Sequence, residues 1–151
     1  MTNINAFSME TVQGASDLSF HGSVITCQID AAEGATMVAG EAVLVTDNAG
    51  GVPKVEQLGA DTDGTFGFIV RNMKDASFSA GDRCEVAMQG SVLYMTAGAA
   101  IARGAQVEYD VSAIKVITAA GTNPVVGWAL DKATADGGLV RVFITTPVAA
   151  A

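Results

Sequence analysis

Charge is scarce in this sequence, and positive charge scarcest: 16% of the residues are charged, with 16 Asp and Glu against 8 Lys and Arg, for a net charge of −8. Scattered bases in that number cannot easily form the patch that displaces counterions from a phosphate backbone, so no nucleic-acid partner is expected. The acidic balance reads as simple solubility, because net charge away from zero opposes aggregation. Histidine occurs once, as His21. A Ser/His/Asp or Cys/His nucleophile needs a base held by an orienting partner, so His21 reads as a satisfied or solvent-exposed side chain. Cys27 and Cys84 stand far apart with no metal-ligand spacing. They read as small buried hydrophobes, with a disulfide between them left open. No run approaches the ~18 consecutive apolar residues of a membrane span, so no membrane partner is expected. Met1-Thr2-Asn3-Ile4-Asn5 has neither the basic nor the apolar region of a secretory signal.

Other chemical patterns are also missing. Asp61-Thr62-Asp63-Gly64 starts like a calcium loop, but Thr65 and Asn72 stand where the pattern needs an acidic or amide ligand and a glutamate. The stretch reads as a turn. Asp47-Asn48-Ala49-Gly50-Gly51 lacks both glycine spacings that cradle phosphates. Glu108, Asp131 and Asp136 could serve as acid and base, but nothing in the sequence brings any two of them together. Tyr94, Tyr109 and Trp128 read as core residues rather than as a stacking platform. The expectation is a protein with no catalytic residues, no metal and no cofactor: not an enzyme.

What is present is a chain of 151 residues and 15.3 kDa, the size of one domain. Hydrophobic residues make up 50% of it and aromatics 6%. So few charges leave a surface of small residues or one partly covered by neighbours, which hints at an assembly. From residue 21 onward, short β-type runs alternate with Gly, Asp and Asn. They are Ser23–Ile29, Ala42–Thr46, Lys54–Leu58, Thr65–Val70, Cys84–Met88, Ser91–Met95, Gln106–Tyr109, Ile114–Thr118, Val125–Leu130 and Leu139–Thr145. Many short strands with frequent turns predict an all-β sandwich or barrel. The 17 glycines suit tight turns. Only Ala97–Ala105, bracketed by Gly98 and Gly104, could make a short helix or turn.

The two halves of the chain match in four places. Gly40-Glu41-Ala42-Val43 matches Gly104-Ala105-Gln106-Val107, and Pro53-Lys54-Val55-Glu56 matches Ile114-Lys115-Val116-Ile117. Gly67-Phe68-Ile69-Val70 matches Gly127-Trp128-Ala129-Leu130, and Gly81-Asp82-Arg83-Cys84-Glu85-Val86 resembles Gly138-Leu139-Val140-Arg141-Val142-Phe143. The pattern predicts two similar β-units, at about 36–90 and 99–147, within one domain spanning 21–147. In each unit a Gly-led turn opens a strand, a hairpin strand carries Lys, a Gly-aromatic strand packs inward and an edge strand closes. Coincidence among Gly- and Val-rich strands would read the same way. Residues 1–20 lack clean periodicity and read as an extended N-terminal arm or an ordinary frayed terminus, and 148–151 as a tail.

The stretch Ala39 to Thr146 resembles the capsid cement, or head decoration, proteins of tailed bacteriophages. The residues that carry the likeness are Ala39–Val45, Gly67–Val70, Ala80-Gly81-Asp82 leading into Val86–Gly90, Val126–Leu130 and Leu139–Val142. The resemblance implies a small β-barrel or β-tulip-like module, often a homotrimer. Made in the host cytoplasm, such a protein would join the virion, bind the major capsid protein on the outer surface of the expanded head and lock neighbouring capsomers. The family offers no catalytic residues to transfer. An arm that orders on binding suits the role, and its apolar positions Ile4, Phe7, Met9 and Val12 are the expected capsid contacts. Trimeric attachment would gain by avidity. Two alternatives stand beside this reading: another virion protein, such as a tail-tube or fibre subunit, and a small-molecule-binding barrel or unusual enzyme.

Overall fold

The computed structural model describes residues 13–15, 23–30, 32, 34–47, 50–60, 65–72 and 74–145. Its strands are β1 (Val24–Ile29), β2 (Met37–Val38), β3 (Ala42–Asp47), β4 (Lys54–Gln57), β5 (Gly67–Val70), β6 (Ser77–Phe78), β7 (Arg83–Ala87), β8 (Val92–Thr96), β9 (Gln106–Asp110), β10 (Lys115–Thr118), β11 (Val125–Ala129) and β12 (Leu139–Ile144). There is no helix among the described residues, and the fold is all-β as expected. Every β-type run in the sequence became a strand. Only the two-residue strands β2 and β6 were not foreseen. Ala97–Ala105 is no helix: Ala97 and Ile101 make isolated bridges to Val116 and Ala133, and Gly104 turns at φ +77°.

The strands form two units with one connectivity. The first is a closed barrel of order β1-β4-β3-β5-β7, and the second a five-stranded sheet of order β10-β9-β11-β12-β8. In the first, β3 pairs with β4 and β5, β5 with β7, and β7 with β1, all antiparallel. In the second, β9 pairs with β10 and β11, β11 with β12, and β12 with β8, again antiparallel. A parallel β1–β4 pair closes the barrel. Its counterpart in the second unit is the single parallel bridge Ala97–Val116. The β2–β6 pair likewise corresponds to the bridge Ile101–Ala133.

Register fixes which residues correspond. Ala42 lies opposite Phe68 and Val43 opposite Gly67, as Gln106 lies opposite Trp128 and Val107 opposite Gly127. Val45 faces Val55 as Tyr109 faces Val116. Ile69 faces Val86 as Ala129 faces Val142. Phe68 therefore corresponds to Trp128, and Val45 to Tyr109. The last pairing also corrects the alignment read from sequence by one residue: Gly81 corresponds to Gly137, not Gly138. Both take positive φ, +85° and +81°, the left-handed region that glycine enters without steric cost.

The Gly-aromatic signature has a steric cause. A Cβ on Gly127 would sit 2.0 Å from the carbonyl oxygen of Phe143, and one on Gly67 would sit 2.5 Å from Val86 Cγ1 and 2.6 Å from the carbonyl oxygen of Ala87. In both units the next strand passes so close that only hydrogen fits, which is the strand role of glycine.

Cys27, Ile29, Val43, Val55, Ile69, Cys84 and Val86, with Met37 and Phe78, fill the first barrel. The core of the second unit, which includes Leu93, Met95, Val107, Val116, Val140 and Val142, is continuous with Ala42, Phe68, Val70 and Ala87 on the outer face of the first. β5 is consequently buried along its whole length. Phe68 meets Tyr109 edge to face, with centroids 5.5 Å apart and planes at 74°, a geometry worth about 0.5–1.5 kcal/mol beyond area burial. The Ala42 N–H donates to the Tyr109 hydroxyl at 3.2 Å. Burial pushes the Tyr109 phenol pKa well above its ordinary value.

Candidate interaction surface

Asp131, Asp136 and Glu108, weighed as acid and base, are each engaged separately. Arg141 donates to Asp131 from Nε (2.7 Å) and Nη2 (2.8 Å), and these bonds hold the Asp131 carboxyl below its usual range. Lys115 donates to Asp136 at 2.7 Å. Glu108 is fully buried beneath the turn 120–123. One of its carboxylate oxygens accepts from the N–H groups of Ala120 and Gly121, the other from Asn123 N–H and the Thr122 hydroxyl. Burial raises its pKa, but the hydrogen bonds outweigh burial and the net shift is downward. Glu41, buried in the first unit, accepts from Val38 N–H at 2.8 Å and from Gln57 Nε2. Both buried carboxylates tie turns and strands together, a structural use of charge-assisted bonds.

Cys27 and Cys84 lie opposite one another on β1 and β7, both buried and free. Burial, reinforced by Cys27, Asp82 and Glu85, pushes the Cys84 thiol up to about 12. Burial raises Cys27 as well. Low-pKa, accessible thiolates are the reactive kind, and these are neither. An open depression of about 230 Å³ is lined by Thr26, Asn72, Arg83, Cys84 and Glu85, and its one thiol is the protonated Cys84. His21 and Asp61–Gly64 lie outside the described residues.

The expected contact residues Ile4, Phe7, Met9 and Val12 also lie outside the described residues. The chain immediately after them, 13–15, is built into the seam between the units. Gly14 N–H donates to the Tyr94 carbonyl at 2.7 Å, Tyr94 N–H to the Ala15 carbonyl at 2.9 Å, and Arg71 N–H to the Gly14 carbonyl at 2.9 Å. The Gln13 side chain donates to the Ala39 carbonyl at 3.2 Å and accepts from the Thr96 hydroxyl. Gly14 has φ +77°, and a Cβ there would stand 2.6 Å from Ala39 Cβ. Both units thus grip this tripeptide, which the sequence placed in an extended N-terminal arm or a frayed terminus.

The aromatic positions divide. Tyr109 is core, as expected; Trp128 is not, being 44% exposed. It stands on the outer face of its sheet, beside Phe143 on β12. In neither unit does the Gly-aromatic residue point into its own unit's core, contrary to the inward packing the sequence suggested. Phe68 points out of the first unit and is buried only because the second unit covers it. Val45 is another large apolar side chain left exposed, at 40%, and stands at the position that Tyr109 occupies in the second unit. Sequence alternation assigns residues to a face but does not say which faces are covered.

The fold is similar to a solved structure described as head fiber gp8.5 N base in bacteriophage phi29. The TM-score is 0.52 at 15% identity, over 85% of this chain and 98% of that one. No curated protein matches the sequence. Residues 1–144 match the family described as XM1 gp53 minor capsid protein. With nearly the whole sequence matched, this chain belongs to the XM1 gp53 minor capsid protein family.

Proposed function

We propose that this chain is a non-enzymatic decoration subunit of a phage head. It would bind the major capsid protein on the outer surface, bridging neighbouring capsomers through area rather than chemistry and so stabilising the expanded shell, and it would do so as a homotrimer. The observation that carries the proposal is the family match over residues 1–144, on a fold in which Glu108, Asp131 and Asp136 are each committed to structural bonds. The strap at 13–15 adds a mechanical element: whatever the first twelve positions grip would be coupled directly to both units. Ile4, Phe7, Met9 and Val12 remain the proposed capsid contacts. The likeness to a head-fibre base favours a second reading, in which the chain is the foot of a fibre and not a cement.

Copy number separates the two. Quantitative mass spectrometry of gradient-purified particles should find this chain in a simple ratio to the major capsid protein if it decorates the shell. A few copies per particle would support a fibre or minor fitting, and absence from particles would refute both readings. Removing residues 1–12, and not the strap behind them, should abolish attachment to expanded shells while leaving the melting curve intact. Unchanged attachment would refute the arm contacts.

A further inference from the structure

The shared connectivity makes the contact between the two units a template. Within one chain, the outer face of the first unit, with Phe68, Val70 and Ala87, packs on the second unit, where Tyr109 receives the Phe68 ring. Register equates Phe68 with Trp128 and Ala87 with Phe143. Val70 lies opposite Glu85 as Leu130 N–H bonds to the Arg141 carbonyl, which equates Val70 with Leu130. The second unit therefore repeats three of the four apolar positions of that face, as Trp128, Leu130 and Phe143, with Gln106 in the place of Ala42, and among the described residues no third unit packs on it. The receiving position is duplicated as well, with Val45 standing where Tyr109 stands.

Exposure follows this logic. Phe68 and Tyr109, which meet, are each 1% exposed, whereas Trp128 and Val45, their counterparts, are 44% and 40% exposed. These two are among the few large apolar side chains exposed among the described residues. Arg141, two residues before Phe143 on β12, is paired with Asp131.

We propose that the Trp128 face is a self-association surface whose partner is the Val45 end of the first unit in a second copy. The contact repeats between chains the one that Phe68 makes with Tyr109 inside a chain. It is heterologous, so every copy offers one face of each kind, and copies join head to tail into a closed ring or an open row. A small contact of this sort gains from closure, since the last contact in a ring forms at high effective concentration. The inference does not depend on where the protein sits on a particle.

Trp128 is the sole tryptophan, so its fluorescence reports the contact directly. With rising concentration of the full chain, light scattering should show self-association, with the emission moving to the blue and acrylamide quenching falling together. Trp128→Glu and Val45→Glu should each stay monomeric, with melting curves near wild type because both side chains are already about half exposed. Mixed together, the two variants should form a dimer: the first keeps its Val45 end and the second its Trp128 face. If either charge variant melts early, Trp128→Ala and Val45→Ala make the same comparison by weakened association. The proposal is overturned if the wild type stays monomeric with a fully quenchable tryptophan. It is equally overturned if Val45→Glu associates as the wild type does, because Trp128 would then meet something other than Val45.

Discussion

Replacing Phe68 with alanine removes a ring that is 1% exposed and lies between the first barrel and Tyr109. Truncations of buried Phe cost about 3–5 kcal/mol, from lost transfer energy plus the cavity left behind. At about 2–4 °C per kcal/mol for a chain of this size, the melting temperature should fall by roughly 6–20 °C. The corresponding change in the second unit, Trp128→Ala, removes a larger side chain at the equivalent strand position. Because that ring is 44% exposed, the cost in dilute monomer should be near that of a surface substitution, about 0.5 kcal/mol. Differential scanning calorimetry at a concentration below any self-association, with urea titration for the free energies, makes the comparison. A double-mutant cycle of Phe68→Ala with Tyr109→Ala should add a coupling energy of about 0.5–1.5 kcal/mol. Equal losses from Phe68→Ala and Trp128→Ala, or no coupling with Tyr109, would refute the account of how the units pack.

Gly127→Ala should destabilise by at least about 1–3 kcal/mol, as overpacking does, since the new methyl would meet the Phe143 carbonyl oxygen at 2.0 Å, and thermal melting reads the loss. Glu108→Gln should cost about 1–3 kcal/mol at pH 7, because an amide cannot accept all the bonds the carboxylate accepts. Glu108 has a lowered folded pKa, so its contribution is fully present above the ordinary value of about 4.3 and is lost as pH falls through the folded one. The gap between wild type and Glu108→Gln in urea midpoints should therefore narrow on acidification. Cys27 and Cys84 should not react with a thiol reagent at neutral pH until the protein is unfolded, because burial raises both pKa values; rapid labelling of native protein would contradict their placement inside the barrel.

Much of the fold was legible because its signals are local. β-branched runs between Gly and Asp turns marked the strands, and a repeated Gly-aromatic pair marked β5 and β11. The two-residue strands β2 and β6 were not legible. Met37 and Phe78 are extended only because they pair with each other across the chain. Barrel closure was hidden for the same reason, since the parallel β1–β4 pair joins segments with no local sign of contact. Gln13-Gly14-Ala15 read as part of an extended arm or a frayed terminus. Its role as a strap depends on Tyr94, Thr96, Arg71 and Ala39, which reach it only after both units form. The expected arm contacts fall outside the described residues.

The sequence by itself determined the all-β class, the strand positions and the likeness of the two halves, because each rests on alternation and turn chemistry over a few neighbouring residues. Only the tertiary structure decided that Phe68 is covered and Trp128 is not. The two residues share a local pattern and a strand position, and they differ in whether a second unit lies against them. Covering a sheet face takes residues from elsewhere in the chain, or from another copy, and no pattern within one strand records it.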